Sequence, residues 1–259
     1  MKKILSVILA LAMAMTLSIP IAASDISEES MDAELRDRGY PQAYLDCISL
    51  SSKESLYNKK DVTFAGATVI CYDESTGIFT DYNIPSNGIM PAGQIPVSDL
   101  TLVFGISEYS TSGNVLVNYS YDWNDIPFCR FQDTLSVSWD EDVFRMIDNS
   151  FHRYDMYVAH GKTFVFTDDA GYAQGSSCGV SWYAHLNDNA VDELYGYGEF
   201  LLEPLAPYGT TTVLYGHYVH PTVEVSMSVN IAAFGSFSVS SGGQPYDERG
   251  SQRTYTIGG

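Results

Sequence analysis

Positive charge is what this 259-residue chain has least of: 13 Lys and Arg stand against 32 Asp and Glu, a formal net charge of −19. A field of that sign repels nucleic acid, teichoic acids and anionic lipid, so none of these is an expected partner unless a cation bridges the two. Long apolar runs are also missing, except at the start. Lys2 and Lys3 precede an apolar run from Ile4 to Leu17, and Ile21-Ala22-Ala23-Ser24 supplies the small residues of a cleavage site. The run falls short of the roughly 20 residues that cross a bilayer. Residues 1–24 therefore read as a signal peptide, and the mature protein is expected outside the cell with no membrane span. Once Lys2 and Lys3 leave with it, 11 basic against 32 acidic side chains give a net charge of −21. After Arg253 the chain reaches Ile257-Gly258-Gly259 with no apolar tail or sorting signal, so release rather than anchoring is expected.

Cysteine is sparse, and Cys47, Cys71, Cys129 and Cys178 contain no C-x-x-C pair, which removes the zinc-ribbon and thioredoxin-like readings. An even count in an exported chain allows two disulfides in three pairings, among them a Cys47–Cys71 link. The alternative is buried free thiols. Internal repeats, an EF-hand and an Asp-rich nonapeptide are absent as well.

What the chain does have is Gly, Ser, Thr and 19 Tyr, a palette for strands and turns. Residues 25–61 read as a helical leader: Pro41 can open one turn, and Ser51 with Glu54 has the form of a capping box for a helix over 53–60. From Val62 onward the apolar period is two. It is clearest at Val223, Val225, Met227, Val229, Ile231 and Ala233, set against Glu224, Ser226, Ser228 and Asn230. It recurs at Val115 to Trp123, Leu135 to Trp139 and Val180 to Leu186, with weaker segments at 64–72, 100–106, 163–167, 194–202, 210–218 and 237–239. The expectation is a mainly β protein: an antiparallel β-sandwich or open barrel of roughly ten strands over 62–259, behind the leader. Residues 82–98 read as a long loop, and the leader as a cover for an open sheet edge.

Five constellations invite chemistry. His217 and His220 lie three apart, which on a strand points them to opposite faces, so zinc would need a kink at Val219 and a distant ligand such as His185. Glu199 and Glu224 are the candidate carboxylate pair for glycoside hydrolysis. Asp122, Asp125, Asp140, Glu141, Asp142, Asp168 and Asp169 cluster at strand ends, where a structural calcium ion is the one cofactor to consider. Gly175-Ser176-Ser177-Cys178-Gly179 has the composition of a nucleophile loop, but Val180 starts a strand where a helix is needed, so a small-residue turn is expected. Trp123, Trp139 and Trp182 could stack on sugar rings, yet alternation puts all three on apolar faces, where core packing is expected. The sequence therefore specifies no catalytic residue, no metal set and no defined binding residue.

Leu35-Arg36-Asp37-Arg38-Gly39-Tyr40-Pro41-Gln42, Phe131-Gln132-Asp133 with Ser138-Trp139-Asp140, and Tyr215-Gly216-His217-Tyr218-Val219-His220-Pro221 with Tyr246-Asp247-Glu248-Arg249-Gly250 together resemble a set of uncharacterised exported proteins of Gram-positive bacteria. The resemblance spans nearly the whole mature chain and implies no activity. The leading reading is a secreted, non-enzymatic binding module for an extracellular glycan or protein. The alternatives are a polysaccharide hydrolase using Glu199 and Glu224, and a pore-forming or antagonistic toxin built on amphipathic strands.

Overall fold

The computed structural model describes residues 26–73, 78–81, 95–96, 98–127, 132–168, 174–185, 191–223, 228–243 and 245–259. Three short helices come first: α1 (Glu28–Asp37), α2 (Gln42–Leu45) and α3 (Leu50–Asn58). The cap of α3 is Ser49 rather than Ser51: its side chain accepts from the Ser52 N–H, and the helix starts and ends earlier than the expected 53–60. Everything after is antiparallel β, as the period-two patterning requires.

The expected ten strands become fifteen among the described residues, arranged in two facing sheets and a separate hairpin. The large sheet contains β1 (Val62–Asp73), β2 (Ile78–Asp81), β3 (Leu100–Tyr109), β4 (Val115–Trp123), β7 (His152–Ala159), β8 (Lys162–Asp168) and β11 (Glu193–Pro204), in the order β2-β1-β3-β4-β11-β7-β8, and β6 (Phe144–Met146) pairs with β11. The small sheet contains β5 (Gln132–Ser138), β9 (Gln174–Ser176), β10 (Gly179–His185), β12 (Thr211–Pro221) and β15 (Tyr246–Thr256), in the order β15-β12-β5-β10-β9. The hairpin is β13 (Ser228–Ala233) and β14 (Ser236–Ser240), which pair with each other alone. No closed barrel forms among the described residues.

The two sheets bury one core between them. Trp139 and Trp182 are fully buried and Trp123 is 6% exposed, so all three indoles face inward as alternation predicts. Trp182 packs against β11 at Gly198, where an added Cβ would fall 2.4 Å from the indole ring, so that position has to be glycine for the sheets to approach. β7 and β15 escape sequence patterning because their inward faces are polar. Arg153 and Asp155 point into the core from β7, and Arg249 and Ser251 from β15. Arg249 donates its terminal nitrogens to the Leu100 and Ile95 carbonyls, and burial pulls its pKa down to about 10.

The leader covers a face of the large sheet, not an edge. Val69, Val103 and Leu116 form an apolar strip on its outer side, and Leu35, Leu45 and Leu56 are fully buried against it. Tyr40 shares a 2.8 Å hydrogen bond with Ser107, and Tyr44 fits over Gly105, where a Cβ would meet its hydroxyl at 2.5 Å. Leaving such a strip in water costs about 25 cal/mol per Å², which is the reason for the helices' position. No helix among the described residues is long and apolar enough to cross a membrane.

Candidate functional site

Glu199 has a structural partner in the leader. It is 4% exposed, accepts from Ser55 Oγ at 3.0 Å and pairs with Lys59 Nζ at 2.8 Å, so α3 is pinned to β11. Glu224 lies outside the described residues. Glu199→Ala should therefore loosen the leader: removing one partner of a buried pair costs about 3–5 kcal/mol at most, less here because Lys59 can turn to solvent. Faster protease cleavage within residues 26–61 is the expected readout, and an unchanged cleavage rate would remove this role.

The remaining sequence candidates scatter. His185 ends β10, and its side chain, that of Asp168 and all of Asp169 are outside the described residues. Asp122 sits on the outer face of β4, where burial and then the Glu193 charge push it up to about 6. Asp140 Oδ1 caps the Asp142 N–H, and Ser177 Oγ donates to Glu141. Among the described residues no three His, Cys, Asp or Glu side chains converge to hold a metal ion. Cys178 is a buried free thiol in a turn after β9, and Cys47 packs at the edge of the leader's cluster. Residue Cys129 and the side chain of Cys71 are outside the described residues.

The two histidines do diverge across the small sheet. His217 faces outward, stacked on Phe237 at 4.9 Å and bonded to Glu248 at 2.9 Å. His220 faces the other way, beside Tyr218, and is 4% exposed. Its Nδ1 donates to Asp133 at 2.7 Å, Tyr218 Oη donates to the other Asp133 oxygen, and Trp123 Nε1 donates to Tyr218 Oη at 3.0 Å. Next to it Tyr121 donates to Asp155 at 2.9 Å. His220 and Trp123 line an open cleft of about 470 Å³ whose other walls include Asp99, Asp125, Asp247 and Thr222.

Burial pulls the His220 imidazolium down, but the hydrogen bond and charge of Asp133 outweigh it and leave the His220 pKa raised. Burial likewise raises Asp133, against the pull of its donors His220 and Tyr218. Both shifts mean that the folded pair keeps its proton to higher pH than the free groups. This stabilisation is complete below the ordinary histidine value of about 6.5 and is lost as pH rises through the raised one. Thermal stability of the native chain minus that of His220→Gln should thus shrink as pH climbs above about 6.5. A difference that stays flat from pH 5 to 9 would contradict the pairing.

This cleft lies at the base of the hairpin. β12 leaves the small sheet just after His220, β13 and β14 follow, and the chain returns to pair Tyr246 with Pro221 and Asp247 with His220. The hairpin rests on the outer face of the small sheet with Val229 and Ile231 buried, Phe237 and Val239 half-buried, and Ser228, Asn230, Ser236, Ser238 and Ser240 toward water. Its contacts are few and soft. Val219 and Val229 form the buried centre, the Gly235 N–H donates to Ser138 Oγ at 3.0 Å, and Phe234 at the tip touches Tyr215 while 40% exposed. No main-chain ladder joins β13 or β14 to either sheet among the described residues.

The sequence pattern predicts an ordinary half-buried strand over 223–233 and a short one over 237–239; β13 and β14 fall on these, and residues 224–227 lie outside the described residues. The overlooked signal is charge: between Glu224 and Asp247 there is no Asp, Glu, Lys or Arg, in a chain where 17% of residues are charged.

The sequence matches no protein-family model and no curated protein. Among solved structures it is similar to one titled a pore forming protein (8% identity, 60% of this chain and 85% of that one, TM-score 0.31). Clostridium perfringens delta-toxin aligns over 62% of this chain and 85% of its own, at 8% identity and TM-score 0.31. A third, titled for AvmM catalysing macrocyclization in alchivemycin A biosynthesis, aligns at 11% identity over 56% and 80%, with TM-score 0.29. Alignments this loose carry neither fold nor activity across to this chain.

Proposed function

We propose that this is an exported membrane-active protein whose β13–β14 hairpin leaves the small sheet and enters a lipid bilayer, where hairpins of several copies close into a β-barrel pore. The observation that carries this reading is a self-paired, uncharged hairpin that alternates buried and exposed residues and, among the described residues, joins neither sheet by a main-chain ladder. A segment bound for hydrocarbon has to satisfy its own backbone and carry no charge on its lipid face. Both conditions are unusual for a surface hairpin in so acidic a protein, where neither is needed for solubility.

A barrel strand crosses in about 9–11 residues; β13 and β14 span six and five, and each would have to lengthen into the uncharged sequence that flanks it, from Val225 to Tyr246, on insertion. Val229, Ile231, Phe237 and Val239 would face lipid, and the serines and Asn230 a wet lumen. Undocking costs the apolar burial of those side chains, and the bilayer returns it. One hairpin supplies two strands and closed barrels have at least eight, so a pore takes about four or more copies.

The net charge of −19 directs the protein to zwitterionic rather than anionic membranes. Against vesicles of phosphatidylcholine loaded with a self-quenched dye, release should rise steeply with protein concentration, and less so when anionic lipid is added. Absence of release from phosphatidylcholine at micromolar protein would sink the proposal. The hydrolase reading loses one of its two carboxylates, because Glu199 holds the leader.

A further inference from the structure

In a chain this rich in carboxylates, one described arginine is paired with neither a carboxylate nor a backbone carbonyl. Among the described residues Arg253 makes no hydrogen bond or ion pair, and its Nε is buried without a partner. The other described arginines differ: Arg36, Arg38, Arg145, Arg153 and Arg249 each donate to a carboxylate or a backbone carbonyl. Arg253 as a whole is half-buried, but a buried Nε without an acceptor is a cost that a carboxylate would relieve.

Arg253 reaches from the inner face of β15 to the backbone of β1 at Gly66. A Cβ there would stand 2.6 Å from Nη2, and the φ of +150° also suits glycine, so this residue makes the approach possible. Beyond the guanidinium lies a cavity of about 190 Å³, walled by Pro41, Ala43, Tyr44, Phe64, Ala67 and Val69. These walls offer carbon and ring faces but no carboxylate. The cavity thus joins a cationic floor to an apolar body, at the seam where α2 meets β1 and β15.

We infer that this cavity is a binding site for a small apolar monocarboxylate, an aromatic or short aliphatic acid, with its carboxylate on the Arg253 guanidinium. Planar guanidinium and planar carboxylate match as a two-bond fork, which an alcohol, an amine or a tetrahedral anion does not reproduce. The volume lies below the roughly 300–1,000 Å³ of sites for drug-sized ligands, which limits the acid to one ring or a short chain. Because the walls come from the leader and from both sheets, an occupant ties the three together. The inference is independent of the hairpin's fate.

The test is titration of the full mature chain with hexanoate and benzoate by calorimetry, at constant ionic strength, beside hexanol, hexylamine and inorganic phosphate. Saturable binding of the acids alone is expected, together with a rise in melting temperature. Arg253→Met keeps the stem's packing and should weaken binding by about tenfold or more, the usual worth of a charged hydrogen bond. Ala43→Trp leaves Arg253 in place but fills the cavity, and should abolish binding; if one variant fails to fold, the other still decides. Equal binding of hexanol, undiminished binding by either folded variant, or no saturation by either acid would overturn the assignment.

Discussion

Val239→Lys is expected to abolish dye release from phosphatidylcholine vesicles, whereas Ser238→Lys, one residue away, should leave release intact and shift the pore toward anions. The two positions are adjacent but face opposite sides of β14: Val239 is half-buried against the small sheet and Ser238 is exposed. Val239 pairs with Val229 near the middle of the limb, where a lysine on the lipid face of a barrel costs about 2–4 kcal/mol. About four or more copies multiply that cost, so the barrel is lost rather than weakened. A lysine at 238 instead projects into the lumen, where charge tunes selectivity. A protein that merely disturbs the bilayer surface would not distinguish the two faces, so equal effects of both variants would contradict a barrel.

Asp133→Ala should lower the stability of the sandwich by about 3–5 kcal/mol, the cost of removing the acceptor from a buried charged cluster. Asp133 is fully buried and holds His220 Nδ1 and Tyr218 Oη on its two oxygens, and Tyr218 in turn accepts from Trp123. Alanine leaves both donors without an acceptor in a dry core and opens a small void as well. Asp133→Asn keeps the shape and one acceptor oxygen, so a loss of roughly half that size follows, with the pH dependence of His220 largely gone. Chemical denaturation of the three proteins measures both effects. A loss below about 1 kcal/mol for Asp133→Ala would mean that the network contributes little.

How much of this was legible in the sequence depends on which way polar residues point. β4, β5 and β10 were readable because valines, leucines, tyrosines and tryptophans occupy most of their inner faces and mainly polar residues the outer. β7 and β15 were not, since Arg153, Asp155, Arg249 and Ser251 sit where apolar residues are expected, held there by partners far along the chain. Glu199 looked like a candidate acid for the same reason: its partners Ser55 and Lys59 lie about 140 residues earlier. The leader's place on a sheet face follows from Val69, Val103 and Leu116, whose outward orientation emerges only once register is known. Strand parity separated His217 from His220 correctly, but the Asp133 acceptor that makes His220 part of a buried pair comes from another strand. The hairpin's alternation was plain in the sequence, while its isolation from both ladders was not.

The most direct measurement places a single tryptophan at Val239 or at Ser238 and reads its quenching by phosphatidylcholine brominated along the acyl chains, the three native indoles being shielded in the core. The account predicts strong quenching of the Val239→Trp signal upon addition of vesicles and weak quenching of Ser238→Trp. If release occurs while neither tryptophan is quenched, the hairpin has stayed on the sandwich and the central claim is wrong.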